Sequence, residues 1–402
     1  SGIDANYQAQ TKIIKRVDLK FVESKSDIEN LKFSSASFGD YNNDGYLDLL
    51  VSGNNGSSRI CKIYKNESGN LKEIQTELLG IENGSAEWAD FNNDGYLDLT
   101  ISGYKNDPII TYNGSGYSAD FRLVACLDFH QNYFLDSFPL VLSYEKWNAY
   151  ANSTMDWSDY DNDGDLDLLI NGVPGFYWLA SGTGGGVPTL VYRSGPRIFR
   201  NDGQLEFKSI DADLPALFSF GSPKDTQIPM WTVSPELQSS FIKFKDYNND
   251  GKIDVIREGN LGSAIYKNLN YYENEVPNTP DFLKAITTCE SAALNWQKSN
   301  DDHTPTQCIT YEIYIGTQPG ICDVFSKANK NQIRRNQFEV NNLKPGTYYW
   351  SVKAVDQAQS ASAWAPEQSF TISGKPATPV VTLIGNSLHS SLQFGNQWHD
   401  LN

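Results

Sequence analysis

An acidic nine-residue pattern occurs four times in this sequence, each time with side-chain oxygens at positions 1, 3, 5 and 9 and glycine at position 6. The four copies, named loops 1 to 4, are DYNNDGYLD at 40–48, DFNNDGYLD at 90–98, DYDNDGDLD at 159–167 and DYNNDGKID at 246–254. Calcium takes about six to eight oxygen ligands, and a tight loop supplies them from alternate residues plus a backbone carbonyl. One copy alone is also compatible with a plain acidic turn, but four copies at one spacing predict calcium loops and about four bound ions.

Each loop is predicted to bind its ion through four side chains and the carbonyl oxygen of position 7. The glycine at position 6 permits the sharp turn, because glycine reaches positive φ without a steric penalty. Without a cation, the carboxylates of one loop would repel one another. The predicted ligands are Asp40, Asn42, Asp44, Tyr46 and Asp48 in loop 1; Asp90, Asn92, Asp94, Tyr96 and Asp98 in loop 2; Asp159, Asp161, Asp163, Asp165 and Asp167 in loop 3; and Asp246, Asn248, Asp250, Lys252 and Asp254 in loop 4.

The segments around the loops favour strands over the helices of an EF-hand. An EF-hand has a bidentate Glu at position 12, whereas position 12 here is Val51, Ile101, Ile170 or Arg257. Segments such as YLDLLVSG, which follow the loops, alternate into apolar residues and end at glycine, as strands do. The loops are therefore predicted to connect β-strands.

Composition and charge exclude two classes of partner. The 402 residues carry a formal charge of −17 and no cluster of Lys and Arg, so no nucleic acid is predicted to bind. No run of about eighteen apolar residues occurs, so no membrane insertion is predicted. The five cysteines include no CxxC pair, which disfavours zinc, and a bridge between Cys308 and Cys322 is one pairing that the sequence allows. The polar start SGIDANYQAQ fits a processed, secreted chain as well as a cytoplasmic one.

The loops belong to a larger repeat. Each is followed by a strand that ends in a similar tetrapeptide: IYKN at 63–66, TYNG at 111–114, IFRN at 198–201 and IYKN at 265–268. A period of 50 or more residues with several strands per unit is typical of a β-propeller blade. We therefore predict an all-β fold with four recognisable blades. Two alternatives stay open for the ring: the N-terminal strand KIIKRVDLKFV completes the fourth blade, or the 402 residues belong to a longer chain whose other blades lie elsewhere.

The motif DxNxDGxxD between two strands, closing on SG and followed by YKN, resembles the FG-GAP or VCBS repeat of integrin α-subunit propellers and many secreted bacterial proteins. This resemblance implies that residues 1–275 form a calcium-binding β-propeller. It indicates the fold and the ion, and it does not indicate the ligand.

The rest of the chain differs in character. Residues 276–375 resemble a fibronectin type III β-sandwich, with Trp296 as a core residue and Tyr349, six residues after Leu343, as a tyrosine corner. Residues 376–402 are predicted to be a linker and the start of a further C-terminal module. Their phrase GNSLHSSLQFGNQWHDLN resembles modules of proteins that the type IX system of Bacteroidota exports, which implies an extracellular or cell-surface location.

Insertions in the later blades predict a ligand face opposite the calcium loops. In a four-stranded antiparallel blade, the connection between strands two and three and the connection to the next blade emerge at one end, and the calcium loops lie at the other. Aromatic loop residues commonly hold sugar rings or anchor protein partners, although they also pack insertions onto a core. The ligand-face candidates are Trp147, Tyr150, Phe176, Tyr177, Trp178 and Trp231.

Adhesion is the first functional hypothesis. The four histidines stand alone, and GxSxG, HExxH and phosphate-loop motifs are absent from the sequence, so no catalytic residue is predicted. We expect a non-enzymatic, secreted or cell-surface protein that binds a glycan or protein ligand, with further domains or chains of a surface assembly as additional partners. The alternatives are a polysaccharide lyase or hydrolase, which would use paired carboxylates on a calcium-bearing propeller, and a structural subunit of a surface assembly.

Overall fold

The computed structural model describes residues 2–3, 9–17, 20–24, 27–76, 78–104, 110–112, 117–119, 124–128, 133–134, 150–174, 177–179, 189–191, 196–203, 207–210, 214, 241–258, 262–270, 273–327 and 333–374. These residues form strands and turns without a helix, so the predicted all-β class is confirmed. Across them, no helix is long and apolar enough to cross a membrane. The predicted C-terminal module at 376–402 lies outside the described residues.

Thirty strands lie in these ranges. In chain order they are β1 (Gly2–Ile3), β2 (Ala9–Gln10), β3 (Ile13–Val17), β4 (Lys20–Ser24), β5 (Lys32–Gly39), β6 (Asp48–Asn54), β7 (Arg59–Glu67), β8 (Asn70–Ile74), β9 (Glu82–Ala89), β10 (Asp98–Tyr104), β11 (Ile110–Tyr112), β12 (Tyr117–Ala119), β13 (Val124–Asp128), β14 (Tyr133–Phe134), β15 (Tyr150–Ser158), β16 (Asp167–Pro174), β17 (Tyr177–Leu179), β18 (Thr189–Val191), β19 (Arg197–Asn201), β20 (Phe207–Ile210), β21 (Phe241–Lys245), β22 (Asp254–Glu258), β23 (Ala264–Tyr266), β24 (Lys284–Thr287), β25 (Ala292–Asn295), β26 (Thr310–Gly316), β27 (Phe325–Lys327), β28 (Gln337–Val340), β29 (Gly346–Val355) and β30 (Gln368–Ile372).

Four antiparallel sheets follow one another along the chain, and each contains one loop between its first two strands. Their strand orders are β5-β6-β7-β8 for sheet 1, β9-β10-β13-β14 for sheet 2, β15-β16-β19-β20 for sheet 3 and β21-β22-β23 for sheet 4. The first strands lie side by side, with β5 next to β9, β9 next to β15 and β15 next to β21. Propeller blades succeed one another in this way, and the contacts among described residues join sheets 1 to 4 without showing a closed ring.

Aromatic residues connect loops 1, 2 and 3 to the sheet that follows each of them. The residue at position 2 of loops 1, 2 and 3 stacks on the aromatic residue that precedes the following loop by two positions. The ring centroids are 5.7 Å apart for Tyr41 and Trp88, 5.7 Å for Phe91 and Trp157, and 5.8 Å for Tyr160 and Phe244. Buried apolar clusters surround all three pairs. The core therefore lies between neighbouring sheets and supports the base of each loop.

Two sequence predictions about the sheets are wrong. The tetrapeptide TYNG is not the third strand of sheet 2, because β10 pairs with β13, placing Leu99 opposite Leu127. The strand β11, which holds the start of TYNG, pairs with β12 instead. The N-terminal strand β3 pairs with β4 as a hairpin, while sheet 4 has three strands among the described residues. In sheet 2, a long insertion allows a later segment to take the place of the expected third strand. At the N-terminus, β3 and β4 satisfy their backbone hydrogen bonds by pairing with each other as a hairpin.

The insertions after the second strands of sheets 2 and 3 meet in a small sheet. Its order is β11-β12-β17-β18, with Ser118 of one insertion opposite Tyr177 of the other. We name it the insertion sheet. Because both insertions connect second and third strands, they leave their sheets at the end opposite the loops.

Residues 284–372 form a β-sandwich. One sheet has the order β24-β25-β28 and the other β27-β26-β29-β30. Trp296 and Trp350 are buried in the core between them. The tyrosine-corner hydrogen bond comes from Tyr348, whose hydroxyl donates to the Lys344 carbonyl at 2.9 Å, and not from the predicted Tyr349. The arrangement is consistent with a fibronectin type III-like sandwich, although Cys308 and Cys322 are free thiols and form no bridge.

Candidate metal sites in the four loops

The four loops share one backbone register. In each sheet the residue before loop position 1 pairs with the aspartate at position 9, as Gly39 pairs with Asp48. Position 4 is an asparagine with φ between 54° and 59°, and position 6 is a glycine with φ between 77° and 94°. Asparagine is one of the few residues that tolerate the left-handed region. The sequence therefore fixes the turn through two positions that do not offer ligands.

The carboxylate at position 1 organises each loop from within. Its two oxygens accept the backbone N–H groups of positions 5 and 6, at distances of 2.8 to 3.2 Å in the four loops. In loop 1, Asn42 Oδ1 accepts from Asp44 N at 2.9 Å and Asp44 Oδ1 accepts from Tyr46 N at 3.0 Å. These bonds curl the chain so that successive polar side chains face a common centre, as a cation-binding loop requires.

The aspartate at position 9 anchors the loop to the sheet. Asp48, Asp98, Asp167 and Asp254 are each 0% exposed. In three sheets its Oδ1 atom accepts the backbone N–H of the asparagine that ends the third-strand tetrapeptide: Asn66 at 2.7 Å, Asn201 at 2.8 Å and Asn268 at 2.7 Å. The tetrapeptide and the loop are therefore parts of one hydrogen-bonded unit in sheets 1, 3 and 4.

Loops 3 and 4 gather carboxylates most closely. Asp159, Asp161 and Asp167 in loop 3, and Asp246, Asp250 and Asp254 in loop 4, each place three carboxylate oxygens within 4.8 Å of one another. In the part of the chain that the structure describes, no other group of three His, Cys, Asp or Glu side chains does so. Such proximity suits a hard divalent cation with oxygen ligands.

Burial makes these carboxylates hard to ionise without a cation. Desolvation raises the pKa of Asp161 to about 6 and that of Asp48 to about 7. It also raises the pKa of Asp159 and Asp167 well above the ordinary value. The Oδ1 atom of Asp161 is shielded from solvent and accepts no hydrogen bond among the described residues. The donor set of loop 3, its burial and this oxygen fit calcium.

Basic side chains from the third strands contact the same loops. Lys65 Nζ lies 3.6 Å from Asp44 Oδ2, Arg200 Nε lies 3.8 Å from Asp161 Oδ2, and Lys267 Nζ lies 2.9 Å from Asp250 Oδ2. All three residues follow the aromatic residue that pairs with the position after the loop. These side chains are 35 to 49% exposed, so a bound ion could displace them toward solvent.

Loop 2 has a different neighbour, which the sequence did not reveal. Arg334, from the segment before β28 of the sandwich, forms a buried ion pair with Asp90. Cys308 and Gln357 of the sandwich contact Asn93 of the same loop. More than 200 residues separate these groups from loop 2 along the chain, so no local pattern could have indicated the contact.

The predicted ligand-face residues are only partly placed. Trp147, Phe176 and Trp231 lie outside the described residues. Tyr150 begins β15, and Tyr177 and Trp178 lie in β17 of the insertion sheet. Two of the six candidates are thus in the insertion sheet, and the prediction that they bind a ligand stays a prediction.

Comparison with known proteins supports the repeat. The FG-GAP-like repeat family matches residues 40–101, which include loops 1 and 2. No curated protein matches the chain. Among solved structures, the chicken CNTN1 FN1-FN3 domains match with a TM-score of 0.22 and 10% identity, over 85% of this chain and 98% of that one.

Proposed function

We propose that this chain is a calcium-stabilised extracellular binding or adhesion protein. The observation that carries the proposal is the shared loop geometry, which in loops 3 and 4 brings three carboxylate oxygens within 4.8 Å. Loops of this kind in extracellular modules bind calcium at about 10⁻⁴ to 10⁻³ M. They would therefore be filled outside a cell and largely empty in the cytosol, which supports an extracellular location.

Calcium has a structural role in this proposal. The position-9 aspartates are buried at the start of the second strands, and a bound ion would neutralise charge that burial otherwise makes unfavourable. Each occupied loop would fix the connection between the first and second strands of its sheet. A rigid row of sheets then presents the insertion sheet at the opposite end, where a glycan or protein ligand would bind.

Ligand binding is tested by measuring which immobilised ligands retain the protein. Calcium-loaded protein is incubated with a panel of polysaccharides and surface proteins, and retention and product release are scored in the same wells. The proposal predicts retention of one ligand class without new chain ends. Release of unsaturated or reducing ends would instead assign a polysaccharide lyase or hydrolase, and absence of retention across the panel would contradict adhesion to these ligands.

A further inference from the structure

We propose that loop 2 binds the guanidinium of Arg334 in place of a calcium ion and forms the site at which the β-sandwich docks. This inference rests on the proposed calcium function of the other loops. It assigns the chain three calcium ions, in loops 1, 3 and 4, where the sequence predicts about four.

The position-1 carboxylate distinguishes loop 2 from the other loops. Asp40, Asp159 and Asp246 each accept two backbone N–H groups from their own loop. Asp90 accepts the same two, and its Oδ2 atom also accepts from Arg334 and from the Cys308 thiol, whose sulfur is 3.5 Å away. An ionised carboxylate has about four acceptor sites over its two oxygens. Three donors therefore saturate the Oδ2 atom of Asp90.

The ion pair between Arg334 and Asp90 is buried, whereas the lysine side chains that contact loops 1 and 4 are partly exposed. The side chains of Arg334 and Asp90 are 3% and 0% exposed, whereas those of Lys65 and Lys267 are 35% and 49% exposed. An exposed lysine can turn into water when an ion arrives. Arg334 can leave only if the sandwich moves, and a second cation on the same carboxylate would be repelled across a water-poor interface.

The register of sheet 2 explains why this loop accepts a cation from elsewhere. Tyr64, Phe199 and Tyr266 pair with the residue after their loop, and each is followed by a basic residue: Lys65, Arg200 and Lys267. In sheet 2 the paired residue is Leu127, and Asp128 follows it. Sheet 2 thus has an acidic residue where the others have a basic one, so the compensating charge comes from the sandwich.

The contacts around Arg334 form an interface and not an isolated ion pair. Gln307 Nε2 donates to the Asn93 carbonyl at 3.2 Å, and Gln357 Nε2 donates to Asn93 Oδ1 at 2.8 Å. Beyond loop 2, the Gln357 carbonyl accepts from Asp159 N at 3.1 Å. Ala358 is buried in the apolar cluster between sheets 3 and 4. The sandwich therefore docks on the end of the sheets that carries the loops.

Calcium counting in full-length protein tests the assignment. Equilibrium dialysis with radioactive calcium, at protein concentrations near the dissociation constant, should give three ions per wild-type chain and four for Arg334→Met. The fourth ion would use the Asp94 Oδ2 atom, which accepts no hydrogen bond among the described residues. The control Arg59→Met removes an ion pair with Glu82 outside the loops and should leave the count at three. Four ions in both wild type and Arg334→Met would overturn the inference while leaving the calcium proposal intact; no ions in any protein would overturn both.

Thiol accessibility gives a second measurement that does not depend on calcium. Cys308 is 2% exposed at the interface and Cys61 is 5% exposed inside sheet 1. Mass-spectrometric mapping after a brief thiol label should show faster modification of Cys308 in Arg334→Met, with Cys61 still protected. Unchanged Cys308 protection would contradict the docking role.

Two further variants keep the test decisive if Arg334→Met does not fold. In an otherwise wild-type chain, Asp94→Asn should leave the calcium count unchanged, whereas Asp44→Asn should lower it by one. Equal losses in the two variants would show that loop 2 binds calcium in the docked molecule and would overturn the inference.

Discussion

At the scale of single residues, the proposed calcium sites depend on carboxylates whose burial raises their pKa. The residue types and their spacing predicted the loops, and the structure places each set on one turn of identical register. The spacing could not indicate the partners of the loops, because these come from other parts of the chain: Lys65, Arg200, Lys267 and Arg334. Their contacts are set by tertiary packing, which no nine-residue pattern contains.

Loop 3 allows a prediction at this scale. Asp163→Asn keeps the size of the side chain and an acceptor for Asp165 N, which Asp163 Oδ1 binds at 3.0 Å. It removes one charge from the ligand set, so the calcium-induced rise in melting temperature should shrink by about a third if three ions contribute equally. Differential scanning calorimetry in calcium and in chelator measures the calcium-induced rise for the wild type and for the variant.

The matched control for Asp163→Asn is Glu312→Gln. Glu312 forms an ion pair with Lys353 in the sandwich at 2.8 Å, away from the loops. Its calcium-induced rise should equal that of the wild type. Equal rises in all three proteins would show that Asp163 is not a ligand.

At the scale of elements, the sequence predicted strands well and connections poorly. The alternating segments after the loops are strands, and the aromatic residues before loops 2, 3 and 4 are buried against the preceding loop. The third strand of sheet 2 was misplaced because TYNG matches the tetrapeptide pattern, while Val124–Asp128 supplies the pairing. Pairing across a long insertion depends on which segment the core selects, and the domain boundaries at 275 and 375 stay predictions.

The tyrosine corner allows a stability prediction for the sandwich. Tyr348→Phe removes the hydrogen bond to the Lys344 carbonyl at 2.9 Å and keeps the ring that stacks on Phe370. The loss should be about 1 kcal/mol of unfolding free energy, measured by chemical denaturation. Tyr349→Phe is the control and should lower the unfolding free energy less than Tyr348→Phe does. A larger loss in Tyr349→Phe would show that Tyr349 forms the tyrosine corner, as the sequence predicted.

The turn after β29 allows a prediction of pH dependence. Burial raises the pKa of Asp356 to about 7, despite hydrogen bonds from Asn274 and from Ser360 N, and the nearby Asp301 and Asp302 add to the rise. The folded protein therefore holds a proton that the unfolded chain releases near pH 4. Its stabilising effect is present at low pH and is lost as the pH rises toward 7, by on the order of 4 kcal/mol.

Asp356→Asn should remove this part of the pH dependence. With saturating calcium, the unfolding free energy of the wild type should fall between pH 4 and pH 7 more steeply than that of the variant. Parallel curves for the two proteins would mean that Asp356 does not titrate in this range.

At the scale of the whole molecule, we propose separate roles for the two ends of the sheets. The loops and the docked sandwich occupy one end, and the insertion sheet lies at the other. Changes to the insertions should therefore affect ligand binding and leave the calcium response intact. The lengths of the insertions predicted a ligand face opposite the loops, which stays a prediction. The pairing of β12 with β17 shows that two of the insertions meet.

Replacing Trp147, Trp178 and Trp231 together with alanine tests the ligand end. Retention on the ligand found by panel screening should be lost, because aromatic rings provide most of the contact energy in such sites. The calcium-dependent melt should be unchanged. Full retention of the triple variant would show that the ligand binds elsewhere than at the insertions.

Calcium binding by the loops is the central claim, and thermal unfolding in calcium against chelator tests it most directly. At ten times the dissociation constant each filled site adds about 1.4 kcal/mol to the unfolding free energy. The melting temperature should therefore rise by several degrees in calcium. Magnesium at the same concentration should raise it less, because it demands tighter octahedral geometry. Identical melting temperatures in calcium and in chelator would contradict the claim.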